Sequence, residues 1–333
     1  MIRLILTALL LLMSLLHSEE TEYRLGEGIQ VGSLPLYFGG YFSVEYLHTL
    51  HAEREVTLDD VALMLYGDHG NWSYMAEMEA DDVYSETFGG EENETVQDHF
   101  HIERLYVDYA FNDHYALRAG KYNSPIGFWN LMPINVLRET TSNPISTEIL
   151  FPHFTSGLGL AYHSQNSSQV SINLMAQHTE DLDALMNDEV YNNFDLDRHY
   201  GAGILLENGL WTYQLNGGYF HTLKGKSLYY LLGSLQYDTP NFQLLGEAGS
   251  QFDDEDIIVP YAGYLQGVYH VTPHHAAILR LEAYKEKRLS VKDSFAVAGY
   301  TYRPLYPIAF KGEYQWHSLS QEDKFLLSFS MLF

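Results

Sequence analysis

Glu77, Glu79 and Asp81 stand two residues apart in the stretch 72–81, so in an extended chain three carboxylates share one face. Clustered carboxylates are what hard cations bind, although the same spacing follows from any solvated strand face. Sixteen His residues raise metal chemistry a second time, above all at His99 with His101 and at His274-His275. Cysteine is absent, and the second His pair falls in a predicted tight turn whose spacing completes no tetrahedral site. The expectation is therefore no metal and no cofactor. Hydrolysis needs Ser, His and an orienting acid at one place, and no Gly-x-Ser-x-Gly segment singles one out, so no catalytic residue is assigned. The acidic segments Glu91-Glu92, Asp181-Leu182-Asp183 and Asp253-Asp254-Glu255-Asp256 either bind divalent ions, concentrate cations near the surface, or are solvated loop charge.

The elements that carry these residues are short alternating strands. Trp72, Tyr74, Ala76, Met78 and Ala80 oppose the carboxylate ladder, and Leu105, Val107, Tyr109 and Phe111 oppose Arg104, Tyr106 and Asp108. About sixteen such stretches follow one another from Tyr37 to Phe333. Their connections alternate between tight turns, as at 67–71 and 112–114, and longer segments, as at 83–100, 123–156 and 178–198, which is what barrel topology predicts. In the last stretch Phe325, Leu327, Phe329, Met331 and Phe333 share a face. It resembles the closing strand of Gram-negative outer-membrane barrels, which implies that Phe329, Met331 and Phe333 form a closing signal read by the barrel assembly machinery.

Composition agrees with this. Arg3 precedes an apolar run, Leu4 to Leu16, that is too short to span a bilayer and reads as an export signal cleaved after Ser18. Residues 19–36 are then a periplasmic amino-terminal segment and 37–333 the barrel. No later apolar stretch is long enough for a transmembrane helix. The formal charge of −26 excludes nucleic acid as a partner, and 27 Tyr, 17 Phe and 4 Trp suit the aromatic girdles of a barrel seated in outer-membrane lipid and lipopolysaccharide. The predicted fold is all-β, a transmembrane antiparallel up-and-down barrel. With the apolar faces in lipid, the lumen receives Glu77, Glu79, Asp81, Arg104, Asp108, Arg118, Lys121, Glu247, Arg280, Glu282, Lys311, Glu313 and Gln315. An Arg or Lys on the lipid face at the midplane would cost about 2–4 kcal/mol.

The longest connection, 123–156, contains Pro125, Trp129, Phe151 and Phe154. The run Leu117-Arg118-Ala119-Gly120-Lys121 leading to Pro125-Ile126-Gly127 resembles a segment of the phosphate-selective porins of the O and P type, a likeness specific over about 102–160. The resemblance implies that this third long loop folds into the barrel and narrows it, with Pro125, Trp129, Arg138, Glu139 and Glu148 at the constriction, and that the assembly is a homotrimer. A sixteen-strand barrel is too wide for side chains to fill, so the expected function is passive diffusion of ions and small hydrophilic solutes. With 18 basic against 44 acidic residues, rings of Asp and Glu favour cations or leave the pore non-selective. Arg104, Arg118, Lys121 and Arg138 could still make a local anion step opposite Glu139 and Glu148. A barrel enzyme, or a receptor or adhesin with a plugged lumen, is the alternative.

Overall fold

In the strand His275–Glu286, Leu279 and Leu281 are more than half exposed, while Arg280 and Glu282, which alternate with them, are buried. A soluble sheet shows the opposite. Charge inside and aliphatic side chains outside is the signature of strands that face lipid on one side and a polar lumen on the other. The structure, a computed structural model, describes residues 23–50, 54–89, 94–96, 100–164, 169–185, 191–318 and 323–333. The expected export signal at 1–18, Glu91-Glu92 and His99 lie outside the described residues.

Sixteen strands close the barrel. They are β1 Tyr37–Thr49, β2 Arg54–His69, β3 Trp72–Ala80, β4 His101–Ala110, β5 Tyr115–Asn123, β6 Phe154–His163, β7 Gln169–Gln177 and β8 Leu196–Asn208. The second half is β9 Trp211–Thr222, β10 Ser227–Asp238, β11 Phe242–Phe252, β12 Ile257–Thr272, β13 His275–Glu286, β14 Val291–Leu305, β15 Ile308–His317 and β16 Lys324–Leu332. Each pairs antiparallel with the next, and β16 returns to β1 with Ser328 opposite Glu45 and Leu332 opposite Tyr41. Phe333 exchanges both backbone hydrogen bonds with Gly40, at 2.8 and 2.9 Å. Gly40 must lack a side chain there, because a Cβ would lie 2.3 Å from the Ala62 carbonyl oxygen and 2.8 Å from the Phe333 ring. Closure matters energetically because it leaves no row of unpaired backbone groups in a medium without water.

Two belts of rings mark the ends of the lipid-facing band. Trp72 on Tyr109, Tyr115 on Tyr162 and Trp211 on Tyr237, with centroids 4.6–5.1 Å apart, ring the end that carries the tight turns. Tyr200, Tyr219, Tyr229 and Phe252 stack in sequence at the long-loop end.

The amino-terminal lead and one expected loop carry structure of their own. The lead into β1 is folded against the tight-turn end in its described part: Ile29–Gln30 pairs with Tyr37 and Phe38, and the Tyr66 hydroxyl donates to the Glu27 carbonyl at 2.7 Å. The segment 83–100, expected as loop, contains a strand, Tyr84–Phe88, which extends the wall by pairing with Arg54–Leu58 and with the short strand Glu94–Val96. Here the alternation ran out in sequence, and long-range pairing with β2 made the strand.

Candidate functional site

Residues 124–153 do turn into the lumen, and the inward charges of the wall hold them there. Pro125 bends the chain past β9, where its carbonyl accepts from Asn216 (3.0 Å) and Gln214 (3.3 Å). Gly127 has φ +67° and leaves no room for a Cβ, because Glu247 Oε1 would be 2.7 Å away. Glu247 accepts the N–H groups of Phe128 and Trp129, and Trp129 is buried against Leu245 and Tyr264. Farther on, Lys311 Nζ reaches Asn135 Oδ1 (2.6 Å) and the Thr140 carbonyl (3.2 Å), while Glu313 accepts from the N–H of Thr141 and of Ser142. Arg280 donates to Thr140 Oγ1, the Ser142 carbonyl and Ser142 Oγ at 2.7–2.9 Å, and Glu282 accepts the Ile145 N–H at 2.9 Å. A short helix, α1 Ile145–Leu150, then carries Leu150 and Phe151 into an apolar cluster with Phe220, Tyr230 and Leu232.

These contacts correct the expected role of several wall residues. Lys121, Arg280, Glu282, Lys311 and Glu313 point inward as predicted, but the inserted loops cover them, so they are anchors and not free lining. Lys121 is fully buried, 3.2 Å from Asp183 and 3.5 Å from Asp181. That pair, expected in an outer loop either as an ion-binding segment or as solvated charge, is instead buried against Lys121. Arg104 is spent on Glu77. Arg118 makes a two-pronged pair with Asp108, both bonds 2.7 Å, stacks 4.0 Å over Tyr106 and borders a separate cavity of about 260 Å³ with Tyr122 and Pro125. Glu139 faces Arg303 at 3.4 Å, and Arg138 is tied to the Met132 carbonyl and Asn143. The four cations of the suggested anion step therefore do not converge. Phe329 and Met331 keep the place expected of them, opposite Val44 and Phe42 on the closing seam.

A larger cavity, of about 580 Å³, lies between the loop and the wall made by β1–β4. Its wall side is acidic: Glu45, Asp59, Asp60, Glu79, Asp81, Asp82 and Glu103. Its loop side presents Asn130, Asn135, Arg138, Glu148 and His153. Glu79 and Asp81 were expected here, whereas Asp59, Asp60 and Glu103 were not. Strict alternation turns Asp59 and Glu103 towards lipid. Two register slips turn them back: between β1 and β2 a single residue, Ser43, faces both Asp59 and Asp60, and between β3 and β4 Glu103 is the extra residue beside Arg104. A bulge re-aims a side chain in this way. The one available signal was the conflict itself, a carboxylate on a face where it could not be tolerated.

Outside the strands, burial and the nearby Glu55 hold the Asp82 carboxyl above its ordinary range. Burial lowers His153 below the usual imidazole value, and its Nε2 lies 3.1 Å from the Thr147 carbonyl. Asp253 is held low by the backbone N–H groups of Asp256 and Glu255, and Arg288 sits 3.1 Å away.

An outer-membrane barrel of sixteen strands, narrowed by its own third loop and lined by ionisable groups, is a porin. The family model for phosphate-selective porins O and P matches residues 52–219, and the chain belongs to that family. No curated protein matches it. Among solved structures, OmpF of Salmonella typhi in complex with daunomycin superposes with a TM-score of 0.62 at 9% identity, covering 94% of this chain and 100% of that one. An anion-selective porin from Comamonas acidovorans gives 0.58 at 12% identity, over 90% and 99%. OmpT of Vibrio cholerae in its trimer form gives 0.60 at 8% identity, over 90% and 99%. At such identities the likeness is one of fold.

Proposed function

We propose that this porin is a passive pore whose constriction prefers cations. The observation that carries the reading is the asymmetry of the open cavity, where seven wall carboxylates face a loop side whose positive charge is Arg138. The phosphate preference in the family's description calls for free basic side chains. Here Arg104, Arg118, Lys121, Arg280 and Arg303 are each paired with a carboxylate. A narrow passage with low-dielectric walls concentrates counter-ions of the opposite sign, so small cations enter and anions are repelled. The route we assign to the ions runs past Asn123, which borders both the 580 Å³ cavity and the cavity beside Arg118. The pore acts without catalysis and works as a homotrimer, as the trimer form of OmpT suggests; its amino-terminal segment lies on the periplasmic side with the tight turns.

The test is the reversal potential of the refolded protein in a planar bilayer under a KCl gradient, for wild type and for Glu45→Gln with Asp59→Asn and Asp82→Asn. A carboxylate about 8 Å from a permeant ion in water at 0.1 M salt contributes about 0.2 kcal/mol, with opposite sign for cation and anion, which is about a twofold permeability ratio. The triple variant should therefore lose up to about tenfold of the potassium over chloride ratio, the full factor applying at a pH where all three carboxylates are ionised. Anion preference in the wild type would overturn the proposal.

A further inference from the structure

The two bulges concentrate ligand atoms as well as charge. Opposite each other across β3 and β4, Glu79 and His101 both face the lumen, and the bulge brings Glu103 to the same side. One ligand atom from each of Glu79, His101 and Glu103 lies within 4.8 Å of the others, and Asp60, Glu79 and Asp81 form a second such triplet that shares Glu79. An ion centred among three atoms no farther apart than that is at most about 2.8 Å from each, so movements below about 1 Å reach bonding distance.

The surroundings answer these groups only in part: Ser43 Oγ donates to Asp60 at 2.9 Å, but Asp81 Oδ1 has no hydrogen-bond partner. The neighbouring cations are committed elsewhere, Arg104 to Glu77 and Lys121 to Asp181 and Asp183. Glu103 is 4% exposed, and its Oε2 has no hydrogen-bond partner; neither does His101 Nε2, which lies 3.5 Å from that oxygen. The Tyr41 hydroxyl donates to Glu79 Oε1 at 3.0 Å, and the His101 ring is stacked 3.5 Å from that of Tyr191, so both side chains are oriented. Desolvated carboxylates with no partner are costly, and a cation or shared protons must relieve them. Asp60, Glu79, Asp81 and Glu103 all border the open cavity, which supplies the entry path.

We propose that Glu79, His101 and Glu103, with Asp60 and Asp81 beside them, form a divalent transition-metal site on the lumen wall. An imidazole among carboxylates suits Zn²⁺ or Mn²⁺ better than Mg²⁺ or Ca²⁺, which take oxygen alone. The inference deepens the cation-pore reading and rests on it: the site would be a station on the conduction path, and the pore would admit such ions and be slowed by them.

The experiment uses the refolded full barrel, with folding of every variant checked by heat-modifiable gel mobility. Calorimetric titration with ZnCl₂, MnCl₂ or MgCl₂ is combined with potassium currents in a planar bilayer as ZnCl₂ is added. The expected result is one tight zinc or manganese ion per barrel, far weaker magnesium, and a dose-dependent fall in current. His101→Asn and Glu103→Gln should each weaken zinc at least about tenfold, whereas His274→Asn in a distant turn should not. No zinc or manganese binding to the wild type, magnesium binding equally tightly, or unaltered zinc affinity in both site variants would overturn the site, the first two standing even if the variants fail to fold. Reversal potentials in the same bilayers separate the two proposals. Cation preference without metal binding sinks the site alone, and anion preference with calorimetric binding dependent on His101 sinks the pore reading alone.

Discussion

Arg280 holds the narrowing loop at its far side, and replacing it with Ala tests how the pore is shaped. Its buried guanidinium donates to Thr140 Oγ1 at 2.8 Å, to the Ser142 carbonyl at 2.9 Å and to Ser142 Oγ at 2.7 Å, and it also pairs with Glu282 at 2.6 Å. Three charge-assisted bonds at about 1.5–3 kcal/mol each set an upper bound of roughly 5–9 kcal/mol. Water in the lumen would satisfy part of what is lost, so the expected cost is that of breaking a buried pair, about 3–5 kcal/mol. At about 1.4 kcal/mol per tenfold, the displaced state of 139–145 becomes a hundred to several thousand times more populated. The strands are untouched, so gel mobility of the folded barrel should be unchanged. The assay is trypsin cleavage after Arg138 in the folded protein, whose rate follows the population of the open form when reclosing is fast. Single-channel recordings should show larger and noisier openings in parallel. Arg280→Lys, which keeps the charge beside Glu282 but loses the planar fork, should fall between. Cleavage no faster than wild type in Arg280→Ala, with unaltered current noise, would refute the idea that wall charges anchor the loop.

Other perturbations of the same loop should rank below this. Gly127→Ala places a Cβ in a left-handed backbone 2.7 Å from Glu247 Oε1 and should loosen the loop by about 1–2 kcal/mol, read as faster trypsin cleavage at Arg138 than in wild type. Because burial lowers the His153 pKa, the seated loop binds fewer protons than the released one; its seating is complete above about pH 6.5 and weakens as pH falls below that value. Current noise should therefore rise on acidification in wild type, and His153→Gln should remove that rise.

The period-two pattern determined a great deal without any structure. A charge facing lipid is too costly to keep, so each inward carboxylate or guanidinium reports the phase of its strand. Arg280 and Glu282, alternating with Leu279 and Leu281, could be placed from spacing alone, as could the sixteen strands and the alternation of their connections. Two things were decided only in three dimensions. Register slips depend on which residues a neighbouring strand offers, so Asp59 and Glu103 entered the lumen through pairing with β1 and β3. Which inward charges stay free depends on where the inserted loops come to rest. Lys121 is silenced by Asp181 and Asp183, sixty residues further along the chain, and Lys311 by the carbonyls of 135 and 140. Spacing reports the face a side chain occupies, whereas the selectivity of a pore depends on what that side chain meets there.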